Sequence, residues 1–284
     1  MLEGRYGADD TDLTVLPGDI TDGFAVQQAV SGKEIVFHLA ALIGIPYSYL
    51  APESYINTNV KGTLNVMEAC RRADVERVVH TSTSEVYGTA QYTPIDEKHP
   101  LQGQSPYSAS KIGGDKIAES YYCSFGLPVA TLRPFNTFGP RQSTRAVIPT
   151  IITQALTSDK VRLGSLTPIR DLTFVSDTVQ AFIRMAECDQ AVGRTINAGR
   201  SSGVTIGELA GTIIGKINPD ARVICEDLRV RPEKSEVMRL VCDNSLARDV
   251  LGWRPSVTLE AGLDQTIAWM REQIDAYKPG VYTV

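Results

Sequence analysis

The sequence has little of what metal sites, secreted scaffolds and membrane proteins are built from. It holds three histidines in 284 residues, and none falls into a zinc-type spacing with cysteine. Its five cysteines, Cys70, Cys123, Cys188, Cys225 and Cys242, stand singly without a C-x-x-C pair. That excludes a disulfide framework and points to a reduced, cytoplasmic setting. No apolar run approaches the ~20 residues of a membrane helix, and the polar, acidic start MLEGRYGADDTD lacks the basic-then-apolar form of an export signal. A net charge of −5 supplies no basic field, so neither nucleic acid nor an anionic membrane surface is an expected partner. Internal repeats and low-complexity stretches are also absent.

What is present is a chain with 43% hydrophobic residues, enough to bury one large core or two smaller ones. Short apolar, β-branched runs at Leu13 to Leu16, Glu34 to Ala41, Arg77 to Thr81 and Val129 to Arg133 are each followed by a segment of helical period. That alternation predicts an α/β fold, with a doubly wound parallel sheet covered on both faces. Pro52 to Asp74 reads as one helix with Ile56, Val60, Leu64, Met67 and Cys70 facing inward. Tyr107 to Phe125 reads as another, with Ile112, Ile117, Ala118 and Tyr121 inward and Gly126 as its stop. Beyond about residue 140 the texture changes to shorter elements and more turns, which divides the chain into residues 1–140 and a smaller lobe over 141–284 with segments crossing back.

Two stretches carry chemistry. In Ser105-Pro-Tyr-Ser-Ala-Ser-Lys111, a Tyr and a Lys four apart lie on one helix face, where the ammonium favours the phenolate and lowers the Tyr pKa. The same spacing also describes a solvent-facing pair. In His80-Thr-Ser-Thr-Ser-Glu-Val-Tyr-Gly88, hydroxyls and Glu85 sit at the carboxyl end of a predicted strand, where open α/β sheets bind ligands. Glu85 there could take a proton from carbon if apolar walls raised its pKa; the plain alternative is a Ser/Thr turn with a solvated Glu85. His38 and His80 read as packed or capping residues and His99 as part of a polar loop. Asp9-Asp10-Thr-Asp12 reads as a solvated turn, and Met67 as core filler.

In order and spacing these elements resemble the extended short-chain dehydrogenase/reductases, the NAD-dependent epimerase/dehydratase family acting on nucleotide sugars. The resemblance runs from about Leu13 to the C-terminus, through Pro17-Gly-Asp-Ile-Thr-Asp22, His38-Leu-Ala-Ala41, Asn57-Thr-Asn-Val-Lys-Gly-Thr63, Thr83-Ser-Glu-Val-Tyr-Gly88, Tyr107 with Lys111, Arg133-Pro-Phe-Asn-Thr-Phe-Gly-Pro-Arg141, Arg170-Asp-Leu-Thr-Phe-Val-Ser-Asp177 and Arg231-Pro-Glu-Lys234. It implies a Rossmann-like first domain that binds NAD and a C-terminal lobe that binds a sugar nucleotide, most similar to the UDP-N-acetylglucosamine type of 4,6-dehydratase. The catalytic set it implies is Thr83, Ser84, Glu85, Tyr107 and Lys111, with Tyr107 taking the O4 proton and Glu85 the C5 proton before water leaves C6. For the cofactor it implies Asp19, Ile20, Leu39, Ala40, Ala41, Asn59, Thr81, Tyr107, Lys111 and Pro134. For the substrate it implies Thr83, Asn136, Arg145, Arg170 and Arg231, arginine suiting phosphate through bidentate hydrogen bonds. No metal is implied, and homodimerisation through the Pro52 to Asp74 and Tyr107 to Phe125 helices is.

The resemblance has two open points. Ser84 stands where many dTDP-glucose dehydratases carry Asp, and Thr-Ser-Glu is shared with UDP-glucuronate decarboxylases, so a decarboxylase or a 4-epimerase remains an alternative. The family's glycine-rich dinucleotide turn has no match: Gly4 and Gly7 are three apart without a preceding strand, and the next expected glycine is Asp10. The first domain is therefore expected to be N-terminally incomplete by a unit of about 30 residues or more. That leaves Leu13 to Leu16 without pairing neighbours and Glu34 to Ala41 as an exposed apolar edge. A catalytically silent relative that binds sugar nucleotides or a partner is the non-enzyme alternative.

Overall fold

The computed structural model describes residues 13–277. Gly4, Gly7 and the Asp9 to Asp12 run lie outside the described residues. The chain forms α1 (Gly23–Val30), β1 (Ile35–His38), α2 (Ile45–Leu50), α3 (Pro52–Tyr55), a π-helical turn (Ile56–Lys61), α4 (Gly62–Ala73), β2 (Arg77–Thr81), a 3₁₀ turn (Ser84–Tyr87), α5 (Pro106–Phe125) and β3 (Val129–Pro134). It continues through β4 (Asn136–Phe138), α6 (Val147–Thr157), β5 (Lys160–Leu163), β6 (Ile169–Phe174), α7 (Val175–Glu187), β7 (Thr195–Ala198), β8 (Gly203–Thr205), α8 (Ile206–Ile217), β9 (Arg222–Cys225), α9 (Ser245–Leu251) and α10 (Leu259–Glu272).

The principal sheet is parallel, in the order β1-β2-β3-β7. Because side chains alternate along a strand, Val78 and Val129 face one side while Val79, Ala130 and Leu132 face the other. The first side packs on α1, α4 and α5 through Val26, Val66, Met67, Cys70 and Ala118. The second packs on α7 and α9 through Ala181, Met185, Leu251 and Trp253. Helices on both faces make the sheet doubly wound. Through α7, β7 and α9, chain from beyond residue 140 returns to complete this first layer. A separate core, around Phe138, Ile148, Ile152, Leu172, Phe174, Leu209 and Leu263, holds α6, α8 and α10 against β4-β6-β8 and the pair β5-β9. No helix among the described residues is long and apolar enough to cross a membrane.

Two expectations need correction. Leu13 to Leu16 is exposed irregular chain rather than a strand, since an apolar run forms no ladder without a neighbour to share its backbone hydrogen bonds. Pro52 to Asp74 is interrupted by the π-helical turn, whose wider winding rotates the inward face. Met67 and Cys70 are buried as expected, whereas Ile56 and Leu64 are exposed. α5 follows the sequence closely: Ser105 and Ser108 form a reciprocal capping box, and Gly126 ends the helix at φ 68°. Ala118 and Tyr121 are buried, and Ile112 and Ile117 partly so.

Candidate active site

The site gathers where β2 ends and α5 begins. Thr83 leaves β2 in an extended conformation and caps the following turn, its Oγ1 accepting the backbone N–H of Glu85 at 3.2 Å. The capping box fixes the start of α5, so Tyr107 in its first turn meets Thr83 in a hydrogen bond. One turn later the Lys111 Nζ donates to the Thr81 carbonyl at 2.6 Å. Tyr107, Lys111, Ser84 and Glu85 are all buried, so Glu85 is not the solvated residue of the plain alternative.

The electrostatics differ from the expectation for the Tyr–Lys pair. Burial pushes the Tyr107 phenol well above its ordinary value; the Thr83 hydrogen bond opposes this, while the nearby Glu85 and Asp115 carboxylates add to it. Burial also lowers the Lys111 ammonium, against the attraction of Asp115. Desolvation therefore outweighs the neighbouring charge that sequence spacing brought to the fore.

Below Lys111 lies a residue the sequence reading missed. Asp115, one further turn along α5, accepts from His80 Nε2 at 3.1 Å, Ser82 Oγ at 2.6 Å and Arg133 Nη2 at 3.0 Å. Burial pushes its carboxyl up, but the hydrogen bonds from His80 and Ser82 and the Arg133 charge prevail and hold it at about 2. Burial lowers His80, while the hydrogen bond to Asp115 opposes this. His38 is likewise buried, its Nε2 3.0 Å from Thr63 Oγ1. His99 is buried rather than part of an open loop: its Nε2 accepts from Gln91 N at 2.9 Å and its Nδ1 donates to the Pro100 carbonyl at 2.9 Å. Among the described residues no group of three His, Cys, Asp or Glu could hold a metal ion.

The residues implied for a cofactor lie along the carboxyl ends of the strands. Leu39 and Ala40, exposed, and Ala41, half-buried, follow β1; Thr81 ends β2 and Pro134 ends β3. The Thr81 Oγ1 is buried without a hydrogen-bond partner. Asn59, in the π-helical turn, donates from Nδ2 to the Leu42 carbonyl and to Ser110 Oγ, both at 2.9 Å, and accepts Leu42 N–H at 2.9 Å. It thus ties the loop after β1 to α5. Asp19 is exposed and accepts Thr21 N–H, while Ile20 fills the space over Gly62, where an added Cβ would meet it at 2.6 Å.

Beside this groove opens a cavity of about 260 Å³ lined by Glu85, Asn136, Gln142, Arg145, Arg170, Arg231 and Glu236, among others. Asn136 Oδ1, Gln142 Oε1 and Arg231 Nη1 are buried there without hydrogen-bond partners, a set of donors and acceptors suited to a polar ligand. Ser84 and Tyr107 do not line this cavity. Asp171 and Asp177, from the motif that supplies Arg170, instead brace the chain. Asp171 accepts backbone N–H groups of Arg200, Ser201 and Cys242, and Asp177 those of Ser256 and Val257. Asp115 was legible as the next i+4 position after Lys111; Glu236 and Gln142 carry no sequence signal of their own.

Comparison with known proteins follows the same lines. The model of the GDP-mannose 4,6 dehydratase family matches residues 2–266. The chain is 33% identical to a UDP-glucose 4-epimerase of Mycolicibacterium smegmatis, covering 95% of this chain and 87% of that protein. It is 32% identical to a dTDP-glucose 4,6-dehydratase of Streptomyces griseus, covering 92% and 79%. Among solved structures, the dTDP-glucose 4,6-dehydratase DesIV of Streptomyces venezuelae, with NAD bound, superposes at TM-score 0.88 and 29% identity over 97% of this chain and 84% of that one. A UDP-N-acetylglucosamine 4-epimerase of Methanobrevibacter ruminantium superposes at TM-score 0.86 and 29% identity, covering 96% and 87%.

Proposed function

The chain belongs to the GDP-mannose 4,6 dehydratase family, within the NAD-dependent epimerases and dehydratases, and from that premise we propose that it is a nucleotide-sugar 4,6-dehydratase acting on a UDP-linked sugar. One observation carries the choice of dehydration. Glu85 is a carboxylate on the turn that Thr83 caps, beside Tyr107, and it lines the same cavity as Asn136, Arg170 and Arg231. Inversion at C4 needs no such base; removal of a C5 proton does.

The residues of the strand-end groove fit NAD: the orphaned Thr81 hydroxyl, the Lys111 ammonium and the open backbone of Leu39 to Ala41 would offer it polar contacts, and Asn59, Pro134, Asp19 and Ile20 would help to hold it. When bound, NAD supplies the hydride acceptor and donor together with a positive charge. In this reading Tyr107 removes the O4 proton while Thr83 orients the hydroxyl and Lys111 stabilises the phenolate. The ketone so formed at C4 acidifies C5–H, and Glu85 takes that proton. Glu85 gives that proton to the departing C6 hydroxyl, which leaves as water, with Ser84 backing the turn that carries Glu85; the hydride taken from C4 would then be returned at C6 while the proton held by Tyr107 restores C5–H. Arg145, Arg170, Arg231 and Asn136 hold the diphosphate. We assign the cofactor to residues 1–140 and the sugar nucleotide mainly to 141–284.

The test is incubation with UDP-N-acetylglucosamine and NAD, with mass spectrometry of the sugar. Loss of one water, abolished by Glu85→Gln and by Tyr107→Phe, supports the dehydratase. A second reading, 4-epimerase, draws on the 33% identity to the UDP-glucose 4-epimerase. It predicts C4 inversion without loss of water, undiminished in Glu85→Gln. Tight UDP binding without either reaction would favour a binding protein.

A further inference from the structure

The cavity that holds Glu85 contains a second carboxylate, which the proposed reaction leaves unused. Glu236 follows the single 3₁₀ turn Glu233–Ser235, and that turn is pinned to the first lobe. Ser235 Oγ donates to the Gln104 carbonyl at 2.7 Å and accepts from the Tyr49 hydroxyl at 2.6 Å, while Gln104 Nε2 donates to the Lys234 carbonyl at 3.0 Å. With its strap fixed, the Glu236 side chain points inward, 14% exposed, and sets one oxygen between two cations. Its Oε1 lies 3.3 Å from Arg170 Nη2 and 3.6 Å from Arg231 Nη1.

This arrangement is incomplete. Two guanidiniums share one carboxylate oxygen, and the longer contact is beyond hydrogen-bond reach, so Arg231 Nη1 remains buried without a hydrogen-bond partner. Arg170 is itself buried, and desolvation lowers its affinity for the proton, with Arg231 adding to this and Glu85 and Glu236 opposing it. A buried cation needs a counter-charge. A carboxylate at these distances supplies one and still leaves guanidinium donors open to a stronger, multidentate acceptor.

We propose that Glu236 is a built-in counter-ion for the Arg170–Arg231 pair, one that the diphosphate of a nucleotide ligand outcompetes, so that Glu236 limits how tightly a nucleoside diphosphate is held. The inference rests on the reading of these arginines as diphosphate ligands. Glu236 aligns the two guanidiniums in the free protein and repels the phosphates once they are seated, so its charge weakens the bound state.

The experiment is calorimetric titration of the full chain with UDP, at low and at moderate salt. Glu236→Gln keeps the shape and removes the charge, and is expected to bind UDP about tenfold more tightly than wild type at low salt, with a steeper loss of affinity as salt rises. A purely structural role for Glu236 would not steepen the salt dependence. Glu236→Asp, which keeps the charge, is expected to stay within about threefold of wild type. Equal or weaker UDP binding by Glu236→Gln, with wild type binding normally, overturns the counter-ion, as does equal tightening in Glu236→Asp. Absence of binding to UDP, dTDP and GDP by wild type itself overturns the diphosphate reading and the counter-ion with it. If Glu236→Gln does not fold, the salt dependence of UDP binding by Glu236→Asp decides, a slope like that of wild type being the expected result and a steeper one overturning the charge-based account.

Discussion

At the scale of single residues, the proposed division of labour separates Glu85 from Tyr107. If Glu85 is the C5 base, Glu85→Gln lowers water loss by roughly 10²–10⁴-fold yet leaves exchange chemistry at C4 intact; deuterium placed at C4 and followed by mass spectrometry distinguishes the two steps. Asp115 makes a prediction of a different kind. Its carboxyl titrates at about 2 in the folded chain against an ordinary value of 3.8, so its stabilisation is fully present above pH ~4 and is lost as pH falls through ~2, amounting to about 2 kcal/mol. Urea unfolding at pH 4 and pH 2 reads this loss. Asp115→Asn, which leaves Arg133 buried without its carboxylate, is expected to cost about 3–5 kcal/mol at neutral pH and to show a correspondingly smaller drop between the two acid points. The Tyr107 and Lys111 pair was legible as one helix face from its i, i+4 spacing, but that spacing fitted a solvent-facing pair equally well; the burial of both residues belongs to the fold. The direction of the Tyr107 pKa was not visible, because burial depends on what Tyr55 and Thr83 bring from elsewhere.

At the scale of elements, the junction between α5 and the π-helical turn sets the site's geometry. Gly114 lets the two approach: a Cβ there would lie 2.8 Å from the Asn59 carbonyl oxygen. Backbone cannot give way as a flexible side chain does, so Gly114→Ala must push the turn away and stretch the Asn59–Ser110 contact. We expect a cost of about 1–3 kcal/mol in urea unfolding, with turnover falling further than the stability loss alone accounts for. The same turn explains why periodicity placed Met67 and Cys70 correctly but Ile56 and Leu64 incorrectly. Met67 and Cys70 lie beyond the π-helical turn and obey the 3.6-residue period, whereas Ile56, within it, and Leu64, three residues past it, were placed by a phase the turn does not keep. Strands β1, β2 and β3 were legible as β-branched runs. Leu13 to Leu16 had the same composition and formed no strand, because pairing is a property of neighbours and not of the run itself.

At the scale of the whole molecule, two apolar surfaces make two separate predictions about association. Among the described residues β1 pairs on one side only, with β2, and Ile35, Phe37 and Leu39 around it are exposed. An exposed strand edge with apolar side chains templates open-ended pairing. Elsewhere, α4 and α5 carry exposed Leu64 and Tyr122, and we propose that these helices meet their copies in a closed homodimer. The two processes separate by mutation and by concentration dependence. Sedimentation of the wild type at micromolar concentration is expected to show a discrete dimer, with larger species growing as concentration rises. Leu64→Glu should convert the dimer to monomer without suppressing the larger species. Phe37→Lys, a charge on the strand edge, should suppress the larger species and leave the dimer. A wild type that sediments only as monomer rules out the helix-mediated dimer, and a Phe37→Lys protein that aggregates as before removes the β1 edge as the cause.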